Sequence, residues 1–357
     1  MSQTAPPLKG WRIPYLTGDL PGAGGRLHVT PEDFVVEEVP AYEPSGEGEH
    51  TFFAVEKRNL STPLLVKMVA RALDLPSRAI SYAGMKDARA VTRQVLCVQF
   101  VPPERLMALE LENARVLWAK RNTRKLRIGH LRGNRFTLRI RDVHPETEIR
   151  APAILEILAR RGVPNGYGVQ RFGTHGDNHE IGLLLLRQER DALRARGIRS
   201  LPFRRHRFYL NALQSALFNR YLTERLQRGL LDDVLPGDVV KKHATGGIFT
   251  VEDVAAERPR AQHWELSATG PIYGYKMLPA QGEAAELEAA VLAEAGLTLE
   301  DFRPAKLKGS RRHVRYRPED LTWRMEGESL VISFFAPKGA YATMLLRELM
   351  KTEVTGD

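Results

Sequence analysis

Gly133-Asn134-Arg135-Phe136-Thr137-Leu138-Arg139-Ile140-Arg141 alternates between two kinds of side chain. Successive residues of an extended chain point to opposite faces, so Phe136, Leu138 and Ile140 share one face and Arg135, Thr137, Arg139 and Arg141 the other. The stretch reads as a half-buried strand with a basic face, which suits an antiparallel sheet carrying a nucleic acid. Working outward, Phe34 to Val39, His50 to Glu56, Ile80 to Ala83 and Gln94 to Val101 are strand-like. Thr62 as N-cap and Pro63 as first helical residue open a helix that runs to about Leu73. From about residue 151 the pattern becomes helical, with candidates at Pro152 to Arg161, Asp177 to Arg187, Tyr209 to Arg228 and Gly282 to Ala295. Strands return at Thr322 to Glu326 and Leu330 to Phe335, with Gly327 as the turn between them, and a helix from Tyr341 to about Lys351 follows. A strand-rich start and end around a helical middle predict an α+β fold. One discontinuous domain would hold residues 1–160 and 310–357, and an inserted domain residues 161–309.

The chain has 357 residues, 43% of them hydrophobic, enough for a full core. No run of about 18 apolar residues is present, so no membrane span is expected. Met1-Ser2-Gln3-Thr4-Ala5-Pro6-Pro7 lacks the basic-then-apolar pattern of a signal peptide. The single cysteine, Cys97, lies in Val95-Leu96-Cys97-Val98 and reads as a buried strand thiol. These features together predict a cytoplasmic protein. Lys and Arg number 53 against 43 Asp and Glu, a formal charge of +10. The excess is concentrated in Lys120 to Arg127 with Arg132, Arg135, Arg139 and Arg141, in Arg204 to Arg207, and in Lys306 to Arg317. Three such clusters in one chain predict a surface for a phosphate backbone.

Tyr82-Ala83-Gly84-Met85-Lys86-Asp87-Ala88-Arg89-Ala90-Val91-Thr92-Arg93, followed by Gln94, reads as a strand end, a glycine turn and a carboxylate among cations. Lys86, Arg89 and Arg93 would hold Asp87 ionised, and an ionised, positioned Asp can serve as nucleophile or base. The same residues also read as a salt-bridged surface loop. His175 and His179, four apart, could face one way on a helix, but no further ligands support a metal site, and Asp177 reads as an N-cap. Asn165 to Gly173 (Asn-Gly-Tyr-Gly-Val-Gln-Arg-Phe-Gly) reads either as a nucleotide-contacting loop or as a glycine-rich turn. Pro337 to Thr343 enters the last helix, whose free N–H groups and Tyr341 could meet an anion and a base. Phe34 reads as core or as a stacking platform.

These segments resemble the tRNA pseudouridine synthase D (TruD) family. The resemblance rests on Pro31-Glu32-Asp33-Phe34-Val35-Val36-Glu37, on Tyr82 to Asp87 with Ala90 to Gln94, on Gly129 to Phe136, on Asn165 to Gly173, on Leu213 to Asn219, and on Gly339 to Thr343 with Leu346 to Leu349. The pieces keep the family's order and span nearly the whole chain. The resemblance implies a pseudouridine synthase catalytic domain with a mixed, largely antiparallel sheet, and an inserted, mainly helical α/β TRUD domain. It implies isomerisation of uridine-13 of tRNA without metal or organic cofactor. A monomer that needs neither membrane nor protein partner is expected. The family's nucleophilic aspartate falls on Asp87. Its substrate-lining positions fall on Phe34, Asn134, Phe136 and Tyr341, the last commonly phenylalanine in the family, with Lys86 beside flanking phosphates. Uridine in a stem is stacked and must be flipped out, and Phe136 or Phe34 could then hold the base. The rival readings are a non-catalytic protein that binds structured RNA and a metal nuclease. The nuclease would need a second carboxylate on the adjoining strand, and Gln94 to Val101 has none. A methyltransferase would need a nucleotide-binding glycine pattern that is not present.

Overall fold

The alternating stretch forms strand β6 (Leu131–Ile140), and its burial follows the alternation: Phe136, Leu138 and Ile140 are buried while Arg135 is exposed. The structure is a computed structural model and describes residues 11–354; the Met1 to Pro7 segment lies outside them. β6 belongs to an eight-stranded sheet with β1 (Phe34–Pro40), β2 (His50–Arg58), β3 (Ser81–Tyr82), β4 (Val91–Gln99), β5 (Ala114–Asn122), β7 (Glu319–Glu326) and β8 (Ser329–Pro337). The order is β7-β8-β6-β1-β4-β2-β5, with β3 paired to β4 off this path. Only β1 and β4 run parallel, so the sheet is mixed and largely antiparallel, within an α+β fold. β5 did not stand out in the sequence: its Val116-Leu117-Trp118-Ala119 run breaks the alternation and its end belongs to a basic cluster. Gly133 is required by packing rather than by a turn, because a Cβ there would stand 2.1 Å from the Ala336 carbonyl oxygen of β8.

Helix α1 (Thr62–Ala72) lies on the sheet, packing Leu65, Val66, Val69 and Ala70 against Phe53, Val55 and Leu96. Its N-cap is Ser61, not Thr62: the Ser61 hydroxyl accepts the Leu64 N–H, and Pro63 occupies the second helical position. Cys97 is buried in β4, and burial raises its thiol pKa.

Internal packing groups the chain into two compact units. One comprises Gly22–Ala153 and Pro318–Ala342 and holds the eight-stranded sheet. The other comprises the segment up to Pro21, Ile154–Arg317 and the segment from Thr343 on. Within it the Glu348 carboxylate accepts the N–H groups of Leu16 and Thr17 at 2.8 and 3.2 Å, and Arg347 donates to the Ile13 carbonyl at 2.6 Å. This unit is built on helix α2 (Phe203–Gln227) and a four-stranded antiparallel sheet in the order Ser310–His313, Leu266–Ile272, Val239–Lys242, Ile248–Thr250. The sequence showed the helices but not this sheet, because its strands are short and Leu266–Ile272 contains Gly270 and Pro271, residues that read as punctuation. The buried Arg225–Asp238 pair, 2.9 Å apart, ties α2 to the start of the Val239 strand.

Candidate active site

Asp87 lies in the loop between β3 and β4, and the sheet forks at that point. β4 pairs along its whole length with β2 on one side. On its other side it pairs with β1 only through Val91, Thr92 and Arg93, and with β3 only through Leu96 and Cys97. Between these two pairings the Glu38 carboxylate of β1 takes the place of a strand. One oxygen accepts the Val95 N–H at 3.2 Å, and the other accepts the Lys86 ammonium at 2.6 Å. Both side chains of this ion pair are buried, 4% and 1% exposed. The Lys86 N–H donates to the Thr62 hydroxyl at 2.9 Å, and that hydroxyl donates to Gln94 Oε1 at 2.9 Å. Because Ser61 caps α1, the Thr62 hydroxyl is available to hold this loop. Gly84 has no special steric duty, since a Cβ there would meet only the Lys86 ammonium at an ordinary 3.5 Å.

Strand parity explains the rest of the site. Cross-strand partners share a face, and the register sets Lys57 of β2 beside Thr92 and Val55 beside Gln94. It sets Val36 beside Thr92, and Glu38 opposite Asn134. Glu38, Asn134, Gln94 and Lys57 therefore share one face of the sheet. Lys57 is fully buried and donates to the backbone carbonyl of Asp87 at 2.8 Å and to that of Leu60. Burial pushes its ammonium down to about 8; the negative charge of Asp87 works against this shift, and the Lys86 charge adds to it. The sequence held one signal for Lys57: at period two it falls on the apolar face of Phe53 and Val55.

Arg93 occupies the opposite face. It pairs with Glu56 at 2.8 Å and Glu37 at 3.7 Å, and Glu56 also binds Arg115 at 2.8 Å, a ladder of alternating charge across β1, β4, β2 and β5. The expectation that Arg93 supports Asp87 is therefore corrected by its parity. Arg89 is exposed, and its carbonyl accepts from His28 Nδ1 at 3.1 Å. The Lys86 ammonium, expected beside phosphates, is instead buried on Glu38.

Three of the sequence-chosen positions meet on the sheet. Phe34 is positioned by a capped turn at Thr30-Pro31-Glu32-Asp33, in which Asp33 accepts the Thr30 N–H at 2.8 Å and binds Arg141 at 2.8 Å. The Phe34 and Phe136 rings stand edge to face at 6.2 Å, and Phe136 stacks on Phe334 at 5.4 Å. Both Phe34 and Phe136 are buried, 3% and 6% exposed, so each is core as well as candidate platform. Asn134 lies on the same side of β6 as Phe136, and its Oδ1 is buried without a partner among the described residues. Tyr341 stands 40% exposed at the end of the loop after β8, a loop anchored by the Lys338 N–H to the Arg132 carbonyl at 2.8 Å.

Comparison with known proteins decides the family. The family model described as tRNA pseudouridine synthase D (TruD) matches residues 11–196 and 186–349. The chain is 46% identical to a tRNA pseudouridine synthase D of Thermus thermophilus over 346 residues, covering 96% of this chain and 93% of the relative. It is 40% identical to a protein of the same description from Geobacter sp. (strain M21), covering 95% and 99%. Among solved structures, a putative tRNA pseudouridine synthase D (TruD) from Methanosarcina mazei superposes with a TM-score of 0.80 at 27% identity, over 98% of this chain and 99% of that one. The chain belongs to the TruD family.

Several TruD segments whose reading was open make contacts that hold the fold. In Asn165 to Gly173, Asn219 accepts the Tyr167 N–H at 2.9 Å and donates to the Tyr167 carbonyl at 2.8 Å. Arg171 donates to the Ser215 hydroxyl at 3.0 Å, and the Arg312 guanidinium lies 4.5 Å over the Tyr167 ring. Asp177 stands at the helix start but makes no capping bond; its carboxylate pairs with Arg196 at 3.3 Å. His179 is buried beside Trp11 and Phe172, and burial lowers its pKa.

The three basic clusters also separate. On β6, Arg135 binds Asp320 at 2.9 Å, Arg141 binds Asp33, and Arg139 binds Glu326, so the expected basic strand face is largely neutralised. In the third cluster Arg311 is buried on Glu288, Arg312 donates to the Asn165 carbonyl at 2.9 Å, and Arg315 is 1% exposed. Lys120, Arg121, Arg124, Lys125 and Arg127 are all exposed, with no carboxylate partner among the described residues. Lys120 and Arg121 end β5, and the loop that follows is fixed by the Gly129 N–H, which donates to the Ala83 carbonyl at 2.8 Å, four residues before Asp87. In the second cluster Arg204 and Arg205 are exposed at the start of α2 beside Phe203, itself 78% exposed.

Proposed function

We propose that this protein isomerises uridine-13 of tRNA to pseudouridine, with Asp87 as nucleophile. The reading draws on TruD membership, and one structural observation carries it: a half-buried Asp87 whose loop is pinned by two buried ammonium groups, Lys57 and Lys86, over a face that also bears Asn134 and Phe136. A buried lysine is expensive to keep, and such perturbed groups concentrate at functional sites. Positive charge nearby favours the ionised carboxylate, which can attack C1′ or C6 of the uridine to give a covalent intermediate. The N1–C1′ bond breaks, the uracil turns, a C5–C1′ bond forms, Asp87 is released, and the C5 proton is lost as N1 gains one, so the step is an isomerisation without redox change. Phe34, Asn134, Phe136 and Tyr341 line the flipped nucleotide, while Lys86 holds the Asp87 loop. The catalytic domain so proposed comprises residues 1–160 and 310–357, the insertion 161–309. Incubating purified protein with unmodified tRNA and mapping pseudouridine by sequence is the direct test. Pseudouridine at position 13 is expected; tight binding with unchanged RNA would establish the non-catalytic rival instead.

The Lys57 titration supplies a second test. The unfolded lysine keeps its proton to about 10.5 and the folded one only to about 8. Between these values the unfolded chain binds more protons, so this site's contribution to stability rises with pH across that window. Turnover moves the other way, falling by up to about tenfold per pH unit above 8 as the charge facing Asp87 is lost. A Lys57→Met protein should lose both the stability gain and the basic limb of the pH–rate profile. A limb unchanged in that variant would remove Lys57 from the mechanism.

The end of β5 and the loop after it, carrying Lys120, Arg121, Arg124, Lys125 and Arg127, are assigned to the RNA backbone. Replacing all five by Gln should lower the slope of log Kd against log salt by about 0.7–0.9 for each phosphate that these side chains neutralise. An unchanged slope in tRNA binding would place the footprint elsewhere.

A further inference from the structure

We propose that His28 is a further substrate-contacting residue of the Asp87 site, its Nε2 lone pair accepting a hydrogen bond from the target nucleotide; this rests on the function proposed above. Two features of His28 are unfavourable in a purely structural residue, and a third places it at the site. Its backbone is left-handed, φ 56°, a region that a side chain with a Cβ seldom adopts. Its Nε2 is buried with no partner among the described residues, although buried polar atoms are almost always hydrogen-bonded. And its ring is stacked on Phe34, centroids 4.4 Å apart and planes 19° apart, on a ring the family places against substrate.

The tautomer follows from the other nitrogen. Nδ1 lies 3.1 Å from the Arg89 carbonyl, two residues beyond Asp87. A carbonyl can only accept, so Nδ1 carries the proton and Nε2 of the neutral ring is a bare acceptor. Asn134 Oδ1 is a second buried acceptor without a partner among the described residues, on the β6 face where Phe136 meets Phe34. Two unmatched acceptors around one aromatic pair call for a ligand that brings donors. Phosphate offers none. Uridine offers the N3–H of its base and the 2′-hydroxyl of its ribose, and Nε2 takes one of them.

The His28→Phe protein keeps the stacked ring and removes both nitrogens, the Nε2 acceptor and the Nδ1–H that donates to the Arg89 carbonyl. Its kcat/KM on tRNA should fall about tenfold, the worth of one hydrogen bond in a dry site, with a melting temperature close to wild type, because the buried orphan and the bond to the Arg89 carbonyl are removed together. Wild-type kcat/KM in that variant overturns the assignment. A tRNA with 2′-deoxyuridine at the modified position distinguishes the donors. If the ribose hydroxyl is the partner, the deoxy substrate and the variant each cause the loss and together cause no more; if the base N3–H is the partner, the two losses multiply. A binding readout separates this inference from the catalytic one. In Asp87→Asn protein with 15N-labelled histidine, the His28 Nε2 resonance should shift toward the hydrogen-bonded value when tRNA is added. An unshifted resonance in the tRNA complex overturns the His28 contact, whereas absence of pseudouridine with wild-type protein bears on the proposed reaction alone.

Discussion

Asp87→Asn protein is expected to fold as wild type does and to lose pseudouridine formation by on the order of 10⁴-fold or more, the scale of removing a covalent nucleophile. Folding should survive because Asn keeps the size of the side chain and the backbone carbonyl to which Lys57 donates. The neighbouring pair, Lys86 on Glu38, is also untouched. Activity should not survive, because the amide is a poor nucleophile and forms no ester or C6 adduct on the reaction's timescale. The substitution also removes the negative charge that now raises the Lys57 pKa, so Lys57 should titrate lower in this variant than in wild type. Single-turnover measurement on purified tRNA checks the first expectation, and turnover within tenfold of wild type would end the nucleophile assignment.

The second large effect is on stability. Glu38→Ala should destabilise the sheet unit by about 3–5 kcal/mol, because removing one partner of a buried ion pair leaves the other charge uncompensated. The stranded group is the Lys86 ammonium, 4% exposed, and the Val95 N–H loses its acceptor in the fork of the sheet at the same time. The double variant Glu38→Leu with Lys86→Met should recover most of that stability, since apolar replacement of both partners is often near neutral. It should not recover activity, because the loop that presents Asp87 has lost its anchor on β1. Denaturant unfolding and turnover, measured on the same three proteins, separate the two roles. Full activity in the stable double variant would show that the pair serves folding alone.

Much of the fold was readable in the chain because it is local. The parity of Arg135 to Arg141 placed β6 and its buried face correctly, since alternation of side chains is a property of any extended strand. The ordered motifs pointed to the family, and with it to Asp87, Phe34, Asn134 and Phe136 as candidates. What was misread was pairing. A charge run in sequence does not announce its acids: Glu288, Asp320, Glu326 and Asp33 neutralise arginines 23 to 187 residues away, which is why two of three basic segments proved wholly or partly structural.

Residue type and short spacing were enough for the alternating strands, because alternation is written within a few neighbouring positions; the family came from motifs whose order spans nearly the whole chain, and the choice of Asp87 as candidate nucleophile came from that resemblance. The charges that stand around Asp87 were settled in three dimensions. Register turned Arg93 away and brought Lys57 in, Ser61 took the helix cap and released Thr62, and the fork between β1 and β3 gave Glu38 to Lys86. Each depends on which element lies beside which, a long-range contact that the order of residues along one strand does not encode.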